Sequence, residues 1–501
     1  MAARAAIQQQ KQRLDASLVA LLVFSLALKL LLLPSYTSTD FEVHRNWLSL
    51  THKLPRRQWY HENTSEWTLD YPPFFAYFEY ALSFVASWVD KSMLVISATP
   101  VFTPSVFLFQ RASVIISDFV LFYALHAYCS SWPTVTTTEW AFSQAKRLAI
   151  MLITVLDAGL LYVDHIHFQY NGMLLGLLVL SATKFRLQQD LQAPLYFIYL
   201  LGHYCYVKNP ESSSESSDSD GDAKLLRKRS ISSTDVHETI QDIHDGNVVF
   251  SFMNFARLGV IVLVVFAIAF GSVLWDHEDP IAGMKQILSR LFPVQRGLCH
   301  AYWAPNVWAL YAFLDKVLVI LGFPGANQGV ALMSGGLVQN ASFAVLPAVS
   351  PLVCALLTFA MMTPVLRSIW KYPDSSLFTS ALAYCMLCSF LLGYHVHEKA
   401  ILQVTLPLAL MAADSVNSMR LYRFASGIAT ISLFPLLFTP AEQGSKLLLG
   451  VLHALLAELA LVPLLKHSLK ERHIKIRAVV TQHFRKLDAA KSYLDARRPK
   501  C

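Results

Sequence analysis

Apolar runs of roughly bilayer length recur along the chain, and compact polar clusters separate them. The first run, "LVALLVFSLALKLLLLPSY" at 18–36, gives way at once to "TDFEVHRNW" at 39–47. About 20 apolar residues in a helix span the hydrocarbon core of a bilayer. On that basis the pattern predicts spans at about 17–35, 108–128, 147–164, 172–186, 250–274, 345–367, 378–394, 400–413, 420–438 and 445–465. The runs at 172–186 and 400–413 are short and rest on their neighbours. Residues 74–90, with Glu79 inside the run, and 306–322, with Asp315 and Lys316, are expected to be helices lying at the membrane interface. The expected fold class is an all-α polytopic membrane protein. The first run is too long for a signal-peptide core, and no small-residue cleavage site follows it, so it reads as a retained anchor.

Lysine and arginine near the span ends orient the chain. Arg4, Lys11 and Arg13 precede the first span. Lys146 and Arg147 precede the third, Lys184 and Arg186 follow the fourth, and the chain after Pro463 is strongly basic. All fall on one side of a ten-span count, which the positive-inside rule makes cytosolic. The other, lumenal side receives 36–107, 165–171, 275–344, 395–399 and 439–444. Five polar clusters meet there: "TDFEVHRNW", "EWTLDYPPF", "VDHIHFQYNG", "RLFPVQRGLCHAYWAPN" and "GYHVHEKA". Loops from separate hairpins converging on one face suit a reaction centre held over a helical scaffold. The sequons at Asn63 and Asn340 fall on the same side.

The units expected are a membrane module at 1–208 with a first lumenal loop 36–107, a Ser- and Asp-rich disordered cytosolic loop at 209–246, a second module at 247–465 with lumenal loop 275–344, and a basic cytosolic tail at 466–501. The serines of 209–246 are either phosphorylation sites or part of a plain linker.

Composition agrees with the pattern. The 501 residues are 54% hydrophobic and 15% charged, against about 25% charged in soluble domains. The net charge of +7 reports topology rather than nucleic-acid binding, because no soluble basic domain is present. Of seven cysteines, Cys385 and Cys388 form a C-x-x-C inside an apolar run, where helix packing is favoured over redox chemistry. Only Cys299 falls in a lumenal loop, so no disulfide framework is implied.

Asp40 and Glu42 are a potential general base at the membrane boundary or a solvated interfacial pair. Asp70 sits in "LDYPPF", where two prolines stiffen the loop. "HVHEK" supplies His395, His397, Glu398 and Lys399. His395 and Lys399 share a helical face if the helix begins there, and such donors suit a phosphate. Metal binding is the rival for these histidines, but no third ligand has convincing spacing. Arg290 and Arg296 are either further phosphate ligands or headgroup contacts. Asp164, His167, Gln169 and Asn171 suit recognition of a sugar or diphosphate, or form a satisfied turn. The D-x-D spelling at 218–220 lies in the cytosolic loop and is set aside.

These motifs, in order across roughly 30–440, resemble the endoplasmic-reticulum glucosyltransferases that use dolichyl phosphate glucose. "RGLCHAYWAPNVWALY" is similar to the member adding the second glucose in an α-1,3 linkage to the dolichyl-diphosphate-linked oligosaccharide. The resemblance implies a GT-C fold in the endoplasmic-reticulum membrane, a lumenal active site, cytosolic termini and an inverting transfer without metal or other cofactor. It implies Asp40 as base, Glu42 and Asp70 as acceptor-positioning groups, and His397, Lys399, Arg296 and Arg290 as donor-phosphate ligands. His44 and Arg45 receive no assignment. Two departures stand out. The family has a lysine-bearing span before "APLYFIYLLGHYCYV", missing here, so topology is preserved only if 194–207 does not cross. The family also has further spans at its end. A low-activity form of the enzyme, a lipid-linked-sugar transporter and a membrane assembly factor are the alternatives.

Overall fold

The computed structural model describes residues 2–132, 137–186, 194–208, 248–275, 277–292, 297–300, 304–323, 343–372 and 375–466. The loop 209–246, the tail beyond 466, Arg296 and Asn340 lie outside the described residues.

Helices dominate, as the apolar runs dictate. In chain order they are α1 (Ala2–Leu31), α2 (Thr39–Lys53), α3 (Pro73–Val89), α4 (Pro104–Ser117), α5 (Phe119–Ser130), α6 (Thr137–Val155), α7 (Asn171–Arg186), α8 (Pro194–Tyr204), α9 (Phe252–Leu274), α10 (Pro280–Leu291), α11 (Val307–Ile320), α12 (Pro351–Lys371), α13 (Ser375–Leu392), α14 (Leu402–Met411), α15 (Val416–Ser432) and α16 (Glu442–Lys466). An antiparallel pair, Tyr206–Lys208 with Val248–Phe250, is the one ladder among the described residues and a small departure from the all-α expectation.

Six helical stretches are long and apolar enough to cross a bilayer: Leu14–Leu31, Pro104–Ser130, Phe142–Phe168, Phe252–Leu274, Pro351–Lys371 and Glu442–Lys466. Each answers a predicted span. Asn171–Lys184 and Leu377–Leu392 are apolar but shorter. The remaining two predicted spans are α14 and α15. At ten residues, α14 reaches only about 15 Å. Its side chains are nearly all buried, so neighbouring helices rather than lipid surround it. The span expected at 345–367 begins later, because Ser350 caps Val353 N–H and Pro351 occupies the first turn.

The Phe142–Phe168 stretch is the bundle's axis, 94% buried, whereas Phe252–Leu274 is 11% buried and turns its branched side chains outward. Near the end of the axial stretch Leu161–Phe168 is π-helical, and Phe168 has φ +92°. The wide turn ends the helix just before Gln169 and collects "VDHIHF" at one point, as π segments do at functional sites. Behind it Asp118 accepts from Lys29 Nζ and pairs with His165 Nε2, both at 2.7 Å. A Cβ on Gly172 would lie 2.0 Å from Asp118 Oδ1, so this approach of two chain segments requires glycine.

The segment 194–207 sits away from the polar clusters. On α8, Tyr199 packs on Phe378 with ring centroids 5.5 Å apart, and Gly202 lies against the Trp370 backbone. These contacts are at the α12–α13 turn. The same apolar cluster holds Ala182 of α7 and, at its margin, Leu258 of α9. The end of α7 and the start of α9 thus share one apolar cluster with eleven-residue α8. The expected interfacial helix 74–90 is α3, with Glu79 and Ser83 buried and Phe84, Val85 and Trp88 exposed. In the other, α11, Asp315 accepts from the Ala344, Val345 and Leu346 amides at 2.9, 2.9 and 2.7 Å. Cys299 and the buried Cys385 and Cys388 are free thiols.

Candidate active site

All five polar clusters contribute to one cavity of about 800 Å³. Asp40, Asp70, His167, Gln169, Arg290, His395, His397, Glu398 and Lys399 line it. Glu42, Asp164 and Asn171 do not, and Asn63 is outside its lining.

Asp40 opens α2, in the first turn after Ser38. Its side chain keeps 28% of its accessible surface, and His167 Nε2 stands 3.5 Å from Oδ2. Burial alone would raise the carboxyl. The hydrogen bond with His167, the Lys399 charge and the hydrogen bond from Gln169 outweigh it and hold Asp40 well below the usual carboxylate range. Tyr36 Oη–H donates to the Leu436 carbonyl at 2.6 Å, and the same oxygen stands 2.6 Å from His167 Nδ1. The Nε2 side of the ring faces Asp40.

Behind Gln169 a chain of contacts leads into the bundle. Gln169 Nε2 donates to Asp40 Oδ2. Asn171 Nδ2 donates to Gln169 Oε1 at 2.9 Å and to Asp164 Oδ1 at 2.8 Å. Asp164 also accepts the Asn171 and Gly172 backbone amides at 3.0 and 2.6 Å, the open donors at the start of α7. Asp164 and Asn171 therefore hold Gln169 rather than meet a ligand themselves.

Glu42 turns away from the cavity. Both its oxygens take Arg45 Nε, at 2.9 and 3.0 Å, and Arg45 Nη1 donates to Val95 O at 2.6 Å. The acceptor-positioning role expected of Glu42 is therefore not one it could play from the cavity lining. His44 pairs with the buried Glu79 at 2.8 Å amid Trp47, Phe75, Phe168 and Tyr170.

Asp70 lies on a loop fixed from both sides. The Trp67 carbonyl accepts from Asn46 Nδ2 at 3.0 Å and Trp47 Nε1 at 3.2 Å. Arg290, at the end of α10, donates to Thr68 Oγ1 at 2.9 Å and Tyr60 O at 3.3 Å. Arg290 thus belongs to the Asp70 wall. Across from it, Lys399 Nζ approaches Tyr71 Oη at 3.5 Å. Burial works against its charge, but Tyr71, Asp40 and Glu398 together raise the ammonium above its ordinary range, so it stays charged. Burial first, then Lys399 and the neighbouring histidines, push His397 well below the usual imidazole range. His397 is thus a neutral ring, and the formal positive charge beside it comes from Lys399.

Glu66, Tyr71 and His300 also line the cavity and were not singled out in the sequence. Glu66 and His300 lie within quoted motifs, four residues before Asp70 and beside Cys299. Arg111 had no signal, being inside an apolar run. It donates to the Tyr36 and His165 carbonyls at 2.7 and 2.8 Å and ties two walls of the cavity together.

The chain matches the ALG6, ALG8 glycosyltransferase family over residues 25–491. It is 40% identical over 449 residues to the mouse (Mus musculus) protein named dolichyl pyrophosphate Glc1Man9GlcNAc2 alpha-1,3-glucosyltransferase, covering 85% of this chain and 78% of that one. The protein of the same name from Neurospora crassa is 40% identical, over 85% of this chain and 80% of its own length. That of Arabidopsis thaliana is 39% identical, over 85% and 78%.

Proposed function

The chain belongs to the ALG6, ALG8 glycosyltransferase family, and on that premise we propose that it adds the second glucose of the lipid-linked oligosaccharide. It transfers glucose from dolichyl phosphate glucose to the monoglucosylated dolichyl-diphosphate-linked acceptor and forms an α-1,3 linkage. The acceptor oxygen attacks the anomeric carbon of the donor. The bond from that carbon to the phosphate oxygen breaks, its electron pair leaves with dolichyl phosphate, and the hydroxyl proton passes to Asp40. A single displacement inverts a β-linked donor into an α product. Phosphate leaves without an acid, so one carboxylate base suffices.

Lys399 offsets the charge gathering on the leaving phosphate, with His397 as a neutral donor and Arg296 and Arg290 as further cationic groups. Asp70 holds the acceptor, and Glu42 acts only through the shape of α2. No metal or other cofactor is needed, because the protein supplies the positive charge. The enzyme works in the endoplasmic-reticulum membrane with its cavity on the lumenal side, its termini cytosolic, and Asn63 and Asn340 as lumenal sequons.

The observation that carries this reading is that Asp40 and the His397–Lys399 pair line one cavity. The test is incubation of the protein and its Asp40→Asn variant with synthetic dolichyl phosphate glucose and a monoglucosylated acceptor, followed by mass analysis. The wild type adds one hexose, and the variant loses about 10²–10⁴-fold in rate. Transfer by the variant near the wild-type rate overturns the base assignment. Loss of lipid movement across the bilayer in place of lost transfer points to a transporter.

A further inference from the structure

We propose that His300, His395 and His397 form a binding site for a zinc-class transition-metal ion at the edge of the cavity. The site is inhibitory, and the transfer itself does not use it. In the sequence only the pair at 395 and 397 is visible, and zinc takes at least three protein ligands. The fold supplies the third. Cys299 and Val396 form a parallel bridge, and His395 N–H donates to Leu298 O at 2.9 Å. This pairing draws 297–300 alongside 394–396 and brings His300 to the other two. The three rings offer nitrogens that all lie within 4.8 Å of one another. A tetrahedral ion needs them ~3.3 Å apart, so the rings close by up to about 1.5 Å from the spacing seen here.

The groups behind the rings are those expected of metal ligands. His395 Nδ1 lies 2.9 Å from Gly297 O. A carbonyl only accepts, so Nδ1 carries the proton and Nε2 the lone pair. His300 Nδ1 stands 3.4 Å from Glu398 Oε2. A carbonyl or carboxylate behind an imidazole orients it and makes it a better ligand. His395 also holds φ +53°, a strained conformation for a non-glycine residue that collects at functional sites. The Glu398 and Asp40 carboxylates offset the nearby Lys399 charge. Three imidazoles select zinc, cobalt, nickel or copper over magnesium and calcium, which prefer oxygen.

An ion here takes His397 away from the donor phosphate, so metal and donor oppose each other. That consequence rests on the function proposed above, whereas the site itself does not. The test uses the full chain in detergent, freed of metal with a chelator and titrated with Co²⁺. Visible absorption reports tetrahedral coordination, and elemental analysis reports stoichiometry. One equivalent is expected, with affinity at least tenfold weaker in His300→Ala and in His395→Ala and unchanged in His277→Ala, whose ring faces His61 elsewhere on the surface. His300→Gln replaces any alanine variant that does not fold. Absence of stoichiometric binding, or equal binding by the His300 variants and the wild type, overturns the proposal. Should Co²⁺ bind as expected and transfer fail both with and without metal, the metal site stands and the functional reading falls; transfer that needs the metal overturns the inhibitory role.

Discussion

His167 joins Asp40 to Tyr36: one ring nitrogen stands 3.5 Å from the Asp40 carboxylate and the other 2.6 Å from the tyrosine oxygen. The sign of the pH effect follows. Asp40 is held below its ordinary range, so it stays ionised across neutral pH and loses its charge only as pH falls far into acid. The wild-type rate therefore shows no acid limb from Asp40 above about pH 5. Removing the ring in His167→Ala leaves burial with less opposition and raises the carboxyl. The variant is expected to transfer glucose about tenfold more slowly at pH 7 and to gain an acid limb at higher pH. A pH–rate profile from pH 5 to 8 checks both.

Asn171 spends its two amide protons on different residues, Gln169 and Asp164. Asn171→Ala cuts that link and leaves the two backbone amides on Asp164 in place. The expected result is a loss of about tenfold in kcat, since a small misplacement of a catalytic group is costly. Thermal stability should change by no more than about 1 kcal/mol. Activity and thermal unfolding measured on one preparation separate these effects.

Lys399 carries the formal charge proposed for the donor subsite. Lys399→Met keeps the stem and removes the charge. The KM for dolichyl phosphate glucose should rise at least tenfold, with less change in the KM for the acceptor. The ammonium is raised above its ordinary range, so its charge is present below about pH 10 and lost only as pH climbs through the raised value. No basic limb from this group is expected below pH 9. Arginine is a poor substitute, because its planar fork does not fit a point-charge site.

The spans and their convergence could be read from the chain because both are local. An apolar run states its own length, and a polar cluster at its end states which face it serves. Asp40, Lys399 and the "VDHIHFQYNG" stretch followed from that. His300 did not, because its place beside His397 comes from the pairing of Cys299 with Val396, a contact between distant segments. Arg111 did not, because an arginine inside an apolar run carries no sign of the carbonyls it will meet. Glu42 lies outside the cavity lining for a geometrical reason. Once α2 starts at Thr39, side chains two apart point to different faces, so Asp40 and Glu42 cannot both look into the cavity.

Glu42 and Arg45 are therefore expected to contribute to stability rather than to acceptor recognition. Arg45 has no exposed side-chain surface, and its guanidinium closes α2 onto the 93–95 segment. Glu42→Gln removes the counter-charge and leaves a buried cation with weaker partners, a change that costs about 3–5 kcal/mol for buried pairs. Arg45→Met removes the cation and leaves Glu42 with the Val101 amide at 3.3 Å. Both variants should unfold at lower temperature. In whatever fraction stays folded, the acceptor KM should lie within about twofold of wild type. Replacing both residues together with Gln and Met should cost less than the sum of the single changes, because neither charge is then left alone. A double-mutant cycle on thermal unfolding, run beside acceptor titrations, separates this role from a direct one, for which the acceptor KM would rise in Glu42→Gln with unfolding unchanged.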